Sequence, residues 1–260
     1  MKGITLKNIE TEGELEKYIA EKSNNHSVYK HYGSRERITN NIIREHCFYL
    51  SNVTGWNDVE DRSRFNNLNL SVVNYGLCFS FSKSESIAMW MLYGKDDGLM
   101  INLKKATIKS ILEMKEAVLG MFKNNSFVSL GKIALTEHSI ILQDILYCGD
   151  TENGKVYVKR SDEVVKEFDS GLLEGLSHNI KNVAWSYENE CRLIVSIDKK
   201  EIEKIEQTNP GCKCDTLKIY IPESQWEAVR EGIFNHPNVM NGEDGFNNSR
   251  LQGKVQWKIG

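Results

Sequence analysis

The usual signposts of function are missing from these 260 residues. There is no phosphate-cradling glycine loop, no G-x-G-x-x-G, no strained G-x-S-x-G turn and no H-E-x-x-H. The commonest nucleotide-binding, dinucleotide-binding, serine-hydrolase and zinc-protease signatures are therefore excluded. With three prolines, no low-complexity segment and no internal repeat, the chain shows no linker. No run reaches the ~18 apolar residues of a membrane span, and the N-terminus carries no apolar leader. A cytoplasmic protein without a membrane partner is expected. The net charge of −3 argues against a general nucleic-acid surface but leaves room for a local basic cleft. The six cysteines mostly stand singly in apolar stretches, and Cys47, Cys78, Cys148 and Cys191 read as reduced core residues. Cys212-Lys-Cys214 is the one close pair, in a turn beside Pro210 and Gly211. No second Cys or His pair stands at zinc spacing, so no metal is expected.

What is present is a mixture of helical and strand patterns without a βαβ rhythm, which predicts an α+β fold. Helical composition covers 11–22. Val28 to Tyr32 alternates as a strand, and Ser34 is placed to cap a helix carrying Ile38, Ile42 and Ile43. Further strands are expected at Cys47–Ser51, Gly76–Ser82, Leu99–Leu103, Leu142–Tyr147, Lys155–Val158 and Leu217–Ile221. Helices are expected from Glu85 to Tyr93 with Gly94 as the terminating glycine, from Ile108 to Phe122, from Lys199 to Glu206, and from Pro222 through Phe234. Ser161 to Trp185 holds a helical pattern interrupted by glycines. The whole reads as a single domain over 1–260, with a core at 28–221 and a C-terminal helix and tail at 222–260.

The densest polar cluster is Trp185-Ser-Tyr-Glu188-Asn-Glu190-Cys-Arg192, at the mouth of the apolar run Leu193-Ile194-Val195. If this is a strand, Glu188, Glu190 and Arg192 share one face and Cys191 takes the other. Such a face is either a solvated edge or the wall of a site. Two other strands also carry polar residues in apolar company: His31-Tyr32, and Ser80 with Ser82. A histidine, serines and carboxylates brought together would suit chemistry at an anomeric carbon. A carboxylate there stabilises a developing oxocarbenium ion, while neutral donors hold hydroxyls and amides.

Five segments in order resemble the signature of a bacterial family of domains of unknown function. They are Tyr29-Lys-His31-Tyr32-x-Ser34, Trp56-Asn57-Asp58-x-x-Asp61, Cys78-Phe79-Ser80, Trp90-x-x-Tyr93 with Gly98, and Lys181-x-x-x-Trp185-x-x-Glu188-x-Glu190-x-Arg192. The likeness runs from about residue 28 to 196. The loop departs from the family's Phe-Asn-Asp-Pro-x-Glu by having Trp56, Val59 and Asp61.

The order of a His-Tyr strand, a Phe-Ser-x-Ser strand and a late Glu-x-Glu strand also resembles the ADP-ribosyltransferase superfamily. That resemblance implies a mainly antiparallel split sheet flanked by helices and NAD as substrate. It implies that His31 binds NAD ribose, that Ser80 or Ser82 orients the site, and that Tyr32 or Tyr93 faces the nicotinamide. Glu190 would bond the ribose hydroxyl and stabilise the cation, and Glu188 would activate the acceptor. The Asn57-Asp58 loop and Arg192 have no place in that scheme; Arg192, beside the two acids at the cofactor end of the site, is expected from its position to orient one of them. The product would be ADP-ribosylated protein or nucleic acid, or hydrolysed NAD, in a toxin or phage-defence setting with a cognate inhibitor as partner.

Two other readings remain. Asn57, Asp58, Asp61, Glu188 and Glu190 could gather a divalent ion for phosphodiester cleavage. Alternatively, Trp185, Glu188, Glu190 and Arg192 form a structural network in a non-catalytic interaction module.

Overall fold

The computed structural model describes residues 5–56, 71–136, 138–150, 155–160, 163, 166–169, 179–239 and 244–254. In chain order the first elements are α1 (Glu12–Ser23), β1 (Val28–Gly33), α2 (Arg35–Arg37, continuing as a wider turn through Ile38–Ile43) and β2 (Cys47–Asn52). Next come β3 (Val72–Ser80), α3 (Ile87–Met89, widening through Trp90–Gly94), β4 (Leu99–Lys104) and α4 (Lys105–Leu112). The strands β5 (Glu116–Lys123), β6 (Ser126–Ala134), β7 (Ile140–Asp144), β8 (Leu146–Asp150), β9 (Lys155–Lys159), β10 (Lys166–Asp169) and β11 (Ile180–Asn182) follow. A short 3-10 turn (Val183–Glu188) leads into β12 (Glu190–Asp198), α5 (Lys199–Thr208), β13 (Thr216–Tyr220), α6 (Glu223–Glu231) and β14 (Ile233–Asn235).

Local chemistry sets several of these starts. Thr11 and Glu14 close a reciprocal capping box on α1, each side chain accepting the other's backbone N–H, at 3.3 and 3.2 Å. Ser34 caps α2 by accepting from the Arg37 N–H.

Among the described residues, ten strands form one sheet and four a second. The large sheet is antiparallel throughout and forks at β3. The C-terminal end of β3 pairs with β1 (Lys30 opposite Ser80), while its middle pairs with β2 (Ser51 opposite Gly76, Asn52 opposite Tyr75). One arm continues through β4 to β14, the other through β13 and β5 to β6. The opposite edge of β3 carries β12 from Glu190 to Asp198, with β7 beyond it. The small sheet runs β10-β9-β8-β11, and its β11–β8 pair is parallel. The fold is thus α+β with a mainly antiparallel sheet. One face of the large sheet buries the main core, including Phe48, Phe79, Ile101 and Leu193. No helix among the described residues is long and apolar enough to cross a membrane.

Several expected elements differ. The helix expected from Ile108 to Phe122 stops at Leu112, and β5 begins at Glu116. Ala117 to Phe122 is apolar enough for either state, and pairing with β6 and β13 decides for strand. The last helix ends at Glu231, because Ile233–Asn235 pairs with β4. Within 161–185, the described residues form β10, β11 and the 3-10 turn rather than helix. Leu142–Tyr147 divides at Ile145 into two strands of different sheets. After Gly94, the left-handed residue is Lys95, at φ 56°.

Candidate active site

The polar residues of the sequence meet on the face of the sheet opposite the main core. Cross-strand partners in an antiparallel ladder share a face. Ser80 of β3 lies opposite both Lys30 of β1 and Glu190 of β12, so these three form one row. Cys78 and Arg192 form the adjacent row. The backbone of Asn189 is left-handed at φ 47°, and this bend brings Glu188, at the end of the 3-10 turn, back beside Glu190. Glu188 is therefore not on the strand face expected for it, yet the two acids remain neighbours.

Lys181 of β11 joins them. Its ammonium donates to Glu188 Oε2 at 2.7 Å and to Glu190 Oε2 at 3.2 Å, and it lies 4.7 Å above the Trp185 ring. Arg192 grips Glu190 bidentately, Nε to Oε1 at 2.6 Å and a terminal nitrogen to Oε2 at 3.3 Å. The indole of Trp56 covers the Arg192 guanidinium at 4.8 Å. Tyr93 donates its hydroxyl to Glu188 Oε1 at 2.8 Å, and the Tyr147 hydroxyl accepts from the Glu190 N–H at 2.7 Å. Glu188, Glu190 and Arg192 are all buried.

The environment drives the two acids apart. Burial acts to raise the Glu190 carboxyl, but the Arg192 and Lys181 charges and hydrogen bonds from Arg192 and the Cys78 thiol overcome it. Glu190 is held well below the usual carboxylate range. Glu188 is raised, by burial first and by the Glu190 charge second, against the pull of Lys181 and Tyr93. A pair divided in this way supplies one fixed anion and one group able to exchange a proton.

Counting donors separates their roles further. A carboxylate offers about four lone-pair sites. Arg192 takes two on Glu190, Lys181 a third and the Cys78 thiol a fourth. Glu188 receives Tyr93 and Lys181 and keeps acceptor capacity. Its surroundings open to solvent through Tyr93, 42% exposed, and Tyr187, 37% exposed.

The remaining expected site residues are distributed differently. His31 is on the other face of β1, and its Nδ1 lies 3.1 Å from the Cys78 carbonyl oxygen at the fork. Burial pushes its pKa down to about 4 against that hydrogen bond, so it is neutral. It does not share a cleft with Glu190; Lys30 occupies the β1 position in the Ser80–Glu190 row. Tyr32 is on the right face but enclosed, its ring edge-on to Trp90 and its hydroxyl accepting from the Ser86 N–H. Ser80 is buried beneath the site. Ser82 lies beyond the end of β3, and its carbonyl is held by the Lys30 ammonium together with that of Ser84. Cys78 is exposed rather than a core residue. Asn57, Asp58 and Asp61 lie outside the described residues.

Lys30, Lys181 and Tyr147 have places here that the sequence did not assign. Lys181 stood in the motif without a role. Lys30 could have been found by noting that it, not His31, shares strand parity with Tyr32.

The fold and site together define a buried, ion-paired carboxylate couple on an antiparallel α+β scaffold. Residues 89–193 match a family described as a protein of unknown function (DUF2971). That stretch carries Trp90, Tyr93, Lys181, Trp185, Glu188, Glu190 and Arg192, so an uncharacterised domain family is supported by the residues that build the site. No curated protein and no solved structure matches the chain.

Proposed function

We propose that the chain consumes NAD, as an ADP-ribosyltransferase or NAD glycohydrolase. The observation that carries this reading is the division of the buried pair into a pinned anion, Glu190, and a raised acid, Glu188. The Lys30–Ser80–Glu190 row across three adjacent strands and the forked sheet are compatible with the split sheet of that superfamily. In the proposed reaction the bond between the ribose C1′ and the nicotinamide nitrogen breaks, and its electron pair leaves with nicotinamide. Glu188, as the carboxylate that keeps acceptor capacity, stabilises the ribosyl cation. Water or an acceptor hydroxyl then bonds C1′ and gives its proton to Glu188. With Glu190 saturated by donors, Glu188 is the better candidate for contact with the ribose, which exchanges the roles expected from the resemblance. Tyr93 and Tyr187 supply exposed rings for the nicotinamide. A macromolecular acceptor, a toxin or defence setting and a cognate inhibitor belong to the same proposal.

The test is NAD consumption by purified protein, with and without cell lysate as acceptor. Wild type should release nicotinamide, and Glu188→Gln should lose roughly 100-fold or more, the scale of general acid–base catalysis. Wild type that leaves NAD intact in both conditions overturns the proposal.

The saturation of Glu190 favours a second reading, in which the network only braces the fold. Glu188→Gln would then alter stability with no reaction to lose. Of the five groups in the metal-dependent phosphodiesterase reading, only Glu188 and Glu190 are among the described residues, and both are engaged by Lys181 and Arg192.

A further inference from the structure

We propose that His26, Asp144 and Cys191 form a binding site for a zinc-like transition-metal ion, on the face of the sheet opposite Glu190. Asp144 and Cys191 are direct partners in the β7–β12 ladder, so their side chains project together. His26 reaches them from the turn between α1 and β1, with Nε2 2.6 Å from Asp144 Oδ1. The three donor atoms all lie within 4.8 Å of one another. Donors around a tetrahedral zinc, with bonds of ~2.0–2.3 Å, stand roughly 3.3–3.8 Å apart. Loading therefore asks the His26–Asp144 pair to open slightly, while the Cys191 thiol already stands within hydrogen-bond reach of Asp144. His26, on a turn and partly exposed, can make that adjustment and give the ion a way in.

The donor chemistry selects the ion. One sulfur, one imidazole nitrogen and one carboxylate oxygen suit zinc or cobalt, not magnesium or calcium, which require oxygen. Three protein ligands leave the fourth position to water. On binding, the proton on Nε2 that faces Asp144 leaves, the imidazole holding its one proton on Nδ1 and presenting the Nε2 lone pair, and the Cys191 thiol likewise releases its proton to solvent. The thiolate and carboxylate then balance the dication. The outer shell is already built. Arg160 Nε holds the other Asp144 oxygen at 2.8 Å, and the Asp144 N–H donates to Ser23 Oγ at 2.6 Å. Such an ion would tie the α1–β1 turn, β7 and β12 together directly behind Glu190, whose carbonyl accepts from the Ile145 N–H at 3.0 Å.

The experiment uses the full chain, purified without a polyhistidine tag, and measures bound metal after dialysis against zinc. Cobalt is loaded in parallel and followed by its near-ultraviolet thiolate charge-transfer band. The expected result is one ion per chain, with the band lost in Cys191→Ser and the ion lost in His26→Ala, while Cys78→Ser and Cys212→Ser keep both. Because Cys191 is fully buried and its variant can misfold, His26→Ala on the partly exposed turn also carries a melting test. Zinc should raise the melting temperature of wild type but not of His26→Ala. A folded wild type that takes up neither ion overturns the proposal. So does uptake that survives His26→Ala, or that Cys212→Ser removes.

Discussion

A single ammonium, that of Lys181, bridges Glu188 and Glu190 at 2.7 and 3.2 Å. It comes from a strand of the small sheet, whereas Glu190 belongs to the large one. Lys181→Met removes this bridge and leaves two buried acids facing each other. Broken buried ion pairs cost about 3–5 kcal/mol. Urea unfolding should show a loss of that order, and the loss should shrink as the pH falls and Glu188 takes up a proton.

The two acids should respond oppositely to neutralisation. Glu190→Gln leaves Arg192 and Lys181 short of their counter-charge and is expected to destabilise by about 3 kcal/mol. Glu188→Gln mimics a state its surroundings already favour, so thermal stability at pH 7 should be unchanged or slightly higher. The substitution that separates a reactive acid from a brace is thus Glu188→Gln, and it is read by nicotinamide release beside melting temperature.

The pH dependence follows with definite signs. The folded-state pKa of Glu190 is lowered from 4.5, so its contribution is complete above 4.5 and is lost as pH falls below it. The folded-state pKa of Glu188 is raised above 4.5, so its favourable contribution is present below 4.5 and is lost as pH rises through the raised value. Acid titration of stability in Glu190→Gln should lack the first decline, and Glu188→Gln should lack the second. Chemical denaturation across pH 3–7 measures both.

Tyr93→Phe deletes the hydroxyl that donates to Glu188 Oε1 at 2.8 Å. Loss of one such bond is expected to cost about 1 kcal/mol. It should also raise the Glu188 carboxyl further, moving the acid limb of any nicotinamide-releasing activity to higher pH. A pH–rate profile against wild type checks this.

Gly76 lies where a Cβ would collide with the Trp56 indole and also press on Ile194. Gly76→Ala should therefore push Trp56 off the Arg192 guanidinium. A destabilisation of about 1–3 kcal/mol from overpacking is expected, with a change in tryptophan fluorescence. Unaltered emission would count against the stacked arrangement.

How much of this could be read beforehand varied with the kind of signal. The cap at Ser34 and the alternation of Val28 to Tyr32 are local, and the structure follows them. Ala117 to Phe122 reads as helix but is strand, because its apolar residues serve either state and only distant partners choose. Glu188, Glu190 and Arg192 stood out through charge in apolar company. His31 stands out by its place beside Tyr32 on the first strand, but adjacent strand residues face opposite ways, and the β1–β3 register gives the place beside Ser80 to Lys30. Lys181 acquires its meaning only when the small sheet brings β11 to β12. That is long-range geometry which spacing in sequence does not encode.

The fork at β3 has a mechanical consequence. The arm containing β1 and β4 and the arm containing β2 and β13 are joined through one strand. Between their attachments at Ser80 and Gly76, the Cys78 carbonyl meets an imidazole where a ladder neighbour would otherwise stand. Any twist of one arm against the other must be taken up along Gly76 to Ser80, the stretch whose outward side chains lie under Arg192 and Glu190. The junction is therefore a torsion axis running beneath the carboxylates, with His31 as its pin.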